Sequence, residues 1–498
     1  MKNNLGTMKP ALAYFAAGIF LWLLRIKGLA QSGLYDHDSV RNYQVATDLA
    51  NGIYDYLFNH TAPLFNIYLA ALVKVFQDYH IPVIINASLI VIALIIFTEF
   101  LRKQLRWDLL TSITFLLFAG TSIALVNFSR YFAIEASSFL MFIILLTIYY
   151  KSIKQGRAKD LYWSSFLTAA LISINYKAIL IIPVFILVEL LQKNRKHSLR
   201  EYVKAGVFFS IPFVFFIFVA AAAGLHPLSQ IGRLYLELLG RTSTHNNPTF
   251  IDTDFLFYFK LFFNFENPFI IIAILLFPLM LLKKKWLDRK NISLHFYLFV
   301  IAYSLFIGMS LIPKAPRGIL FTYPIFYLFL FLIISENISC YKIRNSLVIC
   351  LTLFNIWGIN RHIYSYTENN YREIAQIINS TGYSDVATIV TLNVHPYLRE
   401  GIEARVLFDN SSLKDKLNKG SSFILVEDKY SRIAGLPFDT VEGNEIFRTK
   451  HKTLLSPYLI LEHCEFSGKT FNEALDLIED LSKAEYHTRV IEVKGMRQ

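Results

Sequence analysis

The chain has 498 residues, 54% of them hydrophobic and only 17% charged, with a positive mean hydropathy of +0.43 and a formal net charge of +12. A soluble globular protein carries about a quarter charged residues, so this composition excludes an ordinary soluble enzyme and points to a polytopic helical membrane protein. The basic excess is scattered in short loops between apolar blocks, a pattern that fits anionic lipid headgroups or a phosphate-bearing substrate and not nucleic acid.

Apolar blocks fall near residues 10–26, 62–77, 82–100, 109–126, 131–150, 161–174, 178–192, 204–223, 268–282, 293–312, 317–334 and 345–359. They predict about 11–13 membrane helices, the first retained as a helix and not cleaved as a signal peptide. Five basic loops set the expected orientation: Arg102–Arg106, Lys151–Lys159, Lys193–Lys204, Lys283–Lys290 and Tyr341–Arg344 belong to the cytoplasmic side. The alternate loops, including 28–61 and 224–267, then face outward. Ala62–Gln77 disturbs this parity, and the expectation is that it lies partly in the interface or re-enters.

After residue 360 the character changes. "YREIAQIINSTG" reads as an amphipathic helix with a glycine stop, and "VATIVTL", "ARVLFD" and "SFILVEDKY" as buried strands. The organisation expected is a transmembrane unit over 1–360 and a small α/β domain over 361–498 on the outer side. Three cysteines, Cys340, Cys350 and Cys464, lie far apart and give neither a disulfide framework nor a metal-ligand spacing.

The outward loop after the first helix is unusually polar. "GLYDHDSVRNYQ" holds Asp36, His37, Asp38 and Arg41 within six residues, followed by Asp48, Asp55 and His60. From Asp38 onward the spacing predicts a short amphipathic helix at the membrane surface. Capping accounts for one carboxylate at most. Further ionisable residues recur at the outward ends of later helices: Arg130 and Glu135, Lys177, Lys314 and Arg317. Such groups are costly at the hydrocarbon edge; each alone can be a snorkelling anchor or a structural ion pair, but cations and carboxylates converging on one face suit an anion, above all a phosphate.

In order, these motifs resemble the GT-C superfamily of integral-membrane glycosyltransferases, in particular the branch of lipid A aminoarabinose transferases and protein O-mannosyltransferases. The resemblance rests on "DHDSVRNYQVATDLANG", "NHTAPLFNIYL", "SRYFAIE", "INYKAILIIPVF" and a basic turn before "GILFTYPIFYLFLF", and it covers residues 1 to about 340. It implies transfer of a sugar from a polyprenyl-phosphate-linked donor to a lipid, glycan or protein acceptor at the outer face, in a bacterial inner (plasma) membrane with the site facing the periplasm. It implies Asp38 or Asp36 as the catalytic carboxylate, the choice staying open. Arg41, Arg130, Glu135, Lys177, Lys314 and Arg317 are implied to hold the substrate and its phosphate. A divalent cation is the cofactor at issue: His60 falls where relatives place a metal-holding carboxylate, His37 is a second candidate, and His226 and His245 read more simply as surface-loop residues. The C-terminal unit reads as a structured, non-catalytic tail.

A transporter or flippase of lipid-linked saccharides would also gather charges in a bundle, but no second copy of the opening motif is present. An O-antigen-type polymerase or ligase is disfavoured by the few arginines of the 224–267 loop, Arg233 and Arg241.

Overall fold

The computed structural model describes residues 2–29, 34, 37–58, 62–76, 79–194, 196–226, 254–287, 292–312, 314–366, 370–389, 392–407, 410–418, 422–428, 443–450, 456–464, 469–483 and 487–494. Helices dominate. α1 (Lys2–Ile26) leads to the amphipathic α2 (His37–Ala50), then α3 (Pro63–Phe76), α4 (His80–Leu105), α5 (Leu109–Gly120), α6 (Ile123–Ser129), α7 (Ile134–Gln155) and α8 (Ala158–Ile172). After a 3-10 turn at Tyr176–Leu180 come α9 (Ile181–Leu191), α10 (Leu199–Ala222), α11 (Phe257–Phe265), α12 (Phe269–Lys283) and α13 (Leu294–Ser310). A second 3-10 stretch, Pro316–Thr322, runs into α14 (Tyr323–Asn337), and α15 (Tyr341–His362) closes the bundle.

Among the described residues, α4, α7, α10 and the Pro316–Asn337 stretch are long and apolar enough to cross a membrane. Other expected spans are met by shorter apolar helices such as α3, α12 and α13. At 14 residues α3 is about 21 Å long, short of a hydrocarbon core of roughly 30 Å. That length agrees with the parity problem its sequence raised.

The apolar block 109–126 is not one straight helix. α5 and α6 meet at 68° across Thr121 and Ser122. The break is built: the Ser122 side chain accepts from the Leu125 N–H, and Glu266, buried, accepts the Ile123 and Ala124 N–H groups at 3.0 and 2.7 Å. The same carboxylate accepts from the Tyr327 and Tyr458 hydroxyls at 2.6 and 3.2 Å. Asn355 adds a tie from α15, donating to the carbonyl of Phe118 and to the Thr121 hydroxyl. A helix start buried in an apolar bundle needs acceptors of this kind for its orphan donors.

The C-terminal part carries α16 (Tyr371–Ser380) and a five-stranded sheet of β1 (Asp385–Ile389), β2 (Glu403–Leu407), β3 (Phe423–Glu427), β4 (Asn444–Arg448) and β5 (Arg489–Val493) in the order β2-β1-β3-β5-β4. β1 pairs in parallel with β2 and β3, while β5 runs antiparallel to β3 and β4. β3 is buried throughout, as its "FILVE" run demands at the centre of a covered sheet. α17 (Asn410–Asn418) covers one face of the sheet through Leu413, and α16 the other through Ile374 and Ile378.

Between β4 and β5 the chain leaves the sheet. α18 (Pro457–Glu462) and the start of α19 (Phe471–Lys483) place Tyr458, Leu459, Ile460, Leu461, Phe471 and Ala474 in the main core of the helical bundle. Tyr458 donates to the Phe265 carbonyl at 2.9 Å. The 361–498 unit thus sends one segment back among the membrane helices.

Candidate functional site

The site begins with α2. Its amphipathic face buries Val40 and Ala46 with Phe65 and Leu69 of α3. Its polar face is pinned to the turn before α7: the Phe132 N–H donates to Ser39 Oγ at 2.9 Å, and Asn42 Nδ2 donates to the Phe132 carbonyl at 2.9 Å. Asn86 of α4 holds the same turn through the Tyr131 carbonyl. α2 ends where Gly52, at φ +86°, takes the left-handed conformation of a helix stop, with the Ile53 N–H on the Asp48 carbonyl. These anchors bring Asp38, in the first turn of α2, to Glu135, in the first turn of α7.

Arg317 joins them. The 3-10 stretch that carries it lies against Tyr258 of α11, whose hydroxyl donates to the Ala315 carbonyl. A Cβ on Gly318 would come within 2.6 Å of that hydroxyl, so the backbone beside Arg317 requires glycine for this approach. Arg317 Nη1 donates to Asp38 Oδ2 at 3.1 Å and lies 3.7 Å from Glu135 Oε1. Arg41, one helical turn after Asp38, lies 3.1 Å from Asp38 Oδ1.

A third carboxylate comes from α18. Glu462 Oε2 lies 2.9 Å from Arg317 Nε, and Glu462 Oε1 accepts the Arg317 backbone N–H at 3.1 Å. The Asp38 and Arg317 side chains keep 27% and 20% exposure, whereas those of Glu135 and Glu462 fall to 4% and 8%. The arrangement is a cluster of two guanidinium groups and three carboxylates, open to ligand on the Asp38–Arg317 side and walled behind by Glu135 and Glu462.

The other expected residues lie differently. Arg130 is buried and donates to the carbonyls of Arg25 and Lys27 at 2.8 Å each, with its guanidinium 5.5 Å from the Tyr364 ring. It closes the end of α1. Arg25 itself is buried and donates to the carbonyls of Leu21 and Gly120. Lys314 is 1% exposed, its ammonium 6.0 Å from the Phe255 ring. Lys177 is exposed in the Tyr176–Leu180 turn, and that turn abuts the entry to α3 because the Leu64 N–H donates to the Ser173 carbonyl. Asp36, His60 and His245, and the side chain of His37, lie outside the described residues. His226 follows α10 and is exposed.

Glu462 and Glu266 were not foreseen. Glu462 closes the apolar run "PYLIL", and an acid ending such a run in an otherwise soluble segment is the one signal that marked it.

The described donors do not fit a metal. Both Asp38 oxygens face guanidinium groups, and among the described residues no three His, Cys, Asp or Glu side chains gather as a metal-holding set.

No protein-family model and no curated protein sequence matches the chain. Solved structures do. ArnT from Cupriavidus metallidurans in the apo state superposes with a TM-score of 0.55 at 12% identity, over 89% of this chain and 96% of that one. The same protein bound to undecaprenyl phosphate gives 0.56 at 11% identity, over 97% of both chains. The Archaeoglobus fulgidus oligosaccharyltransferase in complex with Zn and sulfate gives 0.53 at 10% identity, over 87% of this chain and 71% of that one. These are GT-C enzymes, and the fold expected from the motifs, an α-helical GT-C-like bundle with a small α/β unit, is the fold of this chain.

Proposed function

We propose that the protein is a glycosyltransferase that moves a sugar from a polyprenyl-phosphate-linked donor to a lipid, glycan or protein acceptor, in a bacterial inner membrane with the Arg317 cluster facing the periplasm. The observation that carries this reading is the junction of Asp38, Arg41, Glu135 and Arg317, drawn from three distant segments to one end of a bundle that superposes on a protein solved with undecaprenyl phosphate.

In the transfer, the bond from the anomeric carbon to the carrier phosphate breaks and a bond to the acceptor oxygen forms. Asp38 accepts the proton of an acceptor hydroxyl; where the acceptor is itself a phosphate, Asp38 orients it instead. Asp36 stands as the alternative carboxylate. The departing carrier phosphate gains negative charge, which preorganised cations stabilise more in the transition state than in the ground state. Arg317 and Arg41 border the exposed side of Asp38, and Lys177 lies on the turn beside the α3 entry; these supply that charge, with Lys314 three residues before Arg317 in sequence. Arg130 contributes by fixing the end of α1, and Glu135 by orienting Arg317. A divalent cation held by His60 and His37 belongs to the same reading.

The test is transfer of radiolabelled sugar from a polyprenyl-phosphate donor by the purified protein. Transfer that is lost in Asp38→Asn and in Arg317→Ala, with folding intact, supports the reading. Full activity in both variants overturns it.

A further inference from the structure

At the opposite end of the bundle the helices enclose a second polar space. Glu135 stands in the first turn of α7 and Lys154 in its last, 19 residues on, so the two ends are about 28 Å apart along that helix. There the ends of α4, α7 and α9 and the start of α13 surround a cavity of about 410 Å³, lined among others by Gln104, Lys154, Gln192, Lys196, Ser293 and His295. Its size suits a head group or small phosphate ester, since small-molecule sites run roughly 300–1,000 Å³.

Two independent features of the lining agree on the sign of the ligand. Two lysines border the cavity, and among the described residues no carboxylate does. The N-terminus of α13, a helix of 17 residues, opens on it, with Ser293 capping the Phe296 N–H and leaving the positive end of the helix dipole toward the space. His295, stacked on Trp286 at 3.7 Å, borders the same space with its ring fixed in orientation and adds no charge.

A further feature adds a second requirement. Gln192 is 4% exposed; its Nε2 donates to the Ile153 carbonyl at 3.2 Å, and no donor among the described residues reaches its Oε1. A buried amide oxygen in that condition costs free energy unless a ligand or a water donates to it. A phosphodiester or a fully ionised phosphate ester has no O–H to donate, whereas a hydroxyl beside the phosphate does.

We propose that this cavity binds a phosphate ester that carries a free hydroxyl: Lys154, Lys196 and the α13 N-terminus hold the phosphate, and Gln192 Oε1 accepts the hydroxyl. The source is either a lipid head group of the phosphoglycerol kind or a soluble phosphate ester. The site is separate from the Arg317 cluster and does not depend on the reaction assigned to it.

The full chain, purified in detergent, is offered equal amounts of phosphatidylglycerol and phosphatidylcholine with the same acyl chains, and bound lipid is counted by native mass spectrometry. Glycerol 3-phosphate and inorganic phosphate are added as competitors. A preference for phosphatidylglycerol that falls roughly tenfold or more in the Lys154→Gln/Lys196→Gln variant supports the site and its lipid source. Binding of glycerol 3-phosphate without a lipid preference, lost in the same variant, supports the site and assigns the soluble source. Gln192→Leu separately narrows the preference for phosphatidylglycerol over phosphatidylmethanol, which lacks the hydroxyl. Equal binding of all ligands, or a preference unchanged in the lysine variant, overturns the proposal.

Discussion

Two junctions in the same bundle handle ionisable groups in opposite ways. At Glu266 one carboxylate sits in the core and meets only uncharged donors: two backbone N–H groups and two tyrosine hydroxyls. At Arg317 three carboxylates and two guanidinium groups meet, and the Asp38 and Arg317 side chains stay partly open. The first arrangement satisfies every lone pair it presents and leaves no room for a ligand, so it serves architecture by holding the α5–α6 bend. The second balances charge against charge and keeps an exposed edge, where a phosphate or hydroxyl can exchange for one of the ion pairs. A buried acid with neutral partners and a half-open acid with charged partners are thus distinguishable by geometry alone.

The contrast can be broken most directly at Glu266. Glu266→Leu strands four buried donors at about 1–3 kcal/mol each, and the expected outcome is a large fall in melting temperature, with Glu266→Gln falling less. A Glu266→Leu protein that melts like the wild type would remove the architectural reading. At the other junction, Asp38→Asn is expected to cut sugar transfer by roughly 10²–10⁴ while the melting temperature hardly moves, because a part-exposed ion pair is worth about 0–1 kcal/mol. Loss of stability without loss of transfer would invert the comparison.

Glu462 sharpens it further, since it belongs by burial to the wall and by contact to the open cluster. Glu462→Gln is expected to lower kcat roughly tenfold with KM little changed, and Glu462→Asp to restore part of it, as befits a residue that positions Arg317. A KM effect alone would place Glu462 on the substrate instead.

The smallest expected effect lies at Asp48 on α2. Burial, and then the neighbouring Asp55, raise its carboxyl above the ordinary aspartate value. A raised carboxyl favours the protonated form in the folded state, so its unfavourable contribution grows as pH climbs through the unfolded and then the folded value. Asp48→Asn should therefore stabilise slightly at neutral pH and lose that advantage in acid, as followed by melting curves across pH.

Much of this was legible in the chain before its fold was known. The pairing of the Asp38 region with Glu135 and Arg317 follows from loop charges that put all three at one end of the bundle. The 385–427 strands announce themselves by their β-branched runs. What escaped was set by contacts that local pattern cannot carry. "FAGTSIALV" reads as one apolar helix, and the break in it is held by Glu266 and Asn355, more than 140 residues later, as well as by the local Ser122 cap. "NEIFR" and "RVIEV" are short strands with no turn signal strong enough to mark them. The spacing of Asp38 and Glu462 gives no hint of their shared guanidinium, because the bridge is made by a segment that leaves the sheet domain to enter the helical core.

The return of residues 456–464 to the bundle also bears on how the protein is made. Asp38, Glu135 and Arg317 are synthesised well before Glu462, yet α18 supplies the contact that fixes the arginine's Nε and backbone N–H. A nascent chain that has already inserted its membrane helices still lacks this closing contact until the sheet domain has been translated and docked. Assembly order then sets when the site is complete, because Arg317 gains its Glu462 contacts only after the last part of the chain has docked.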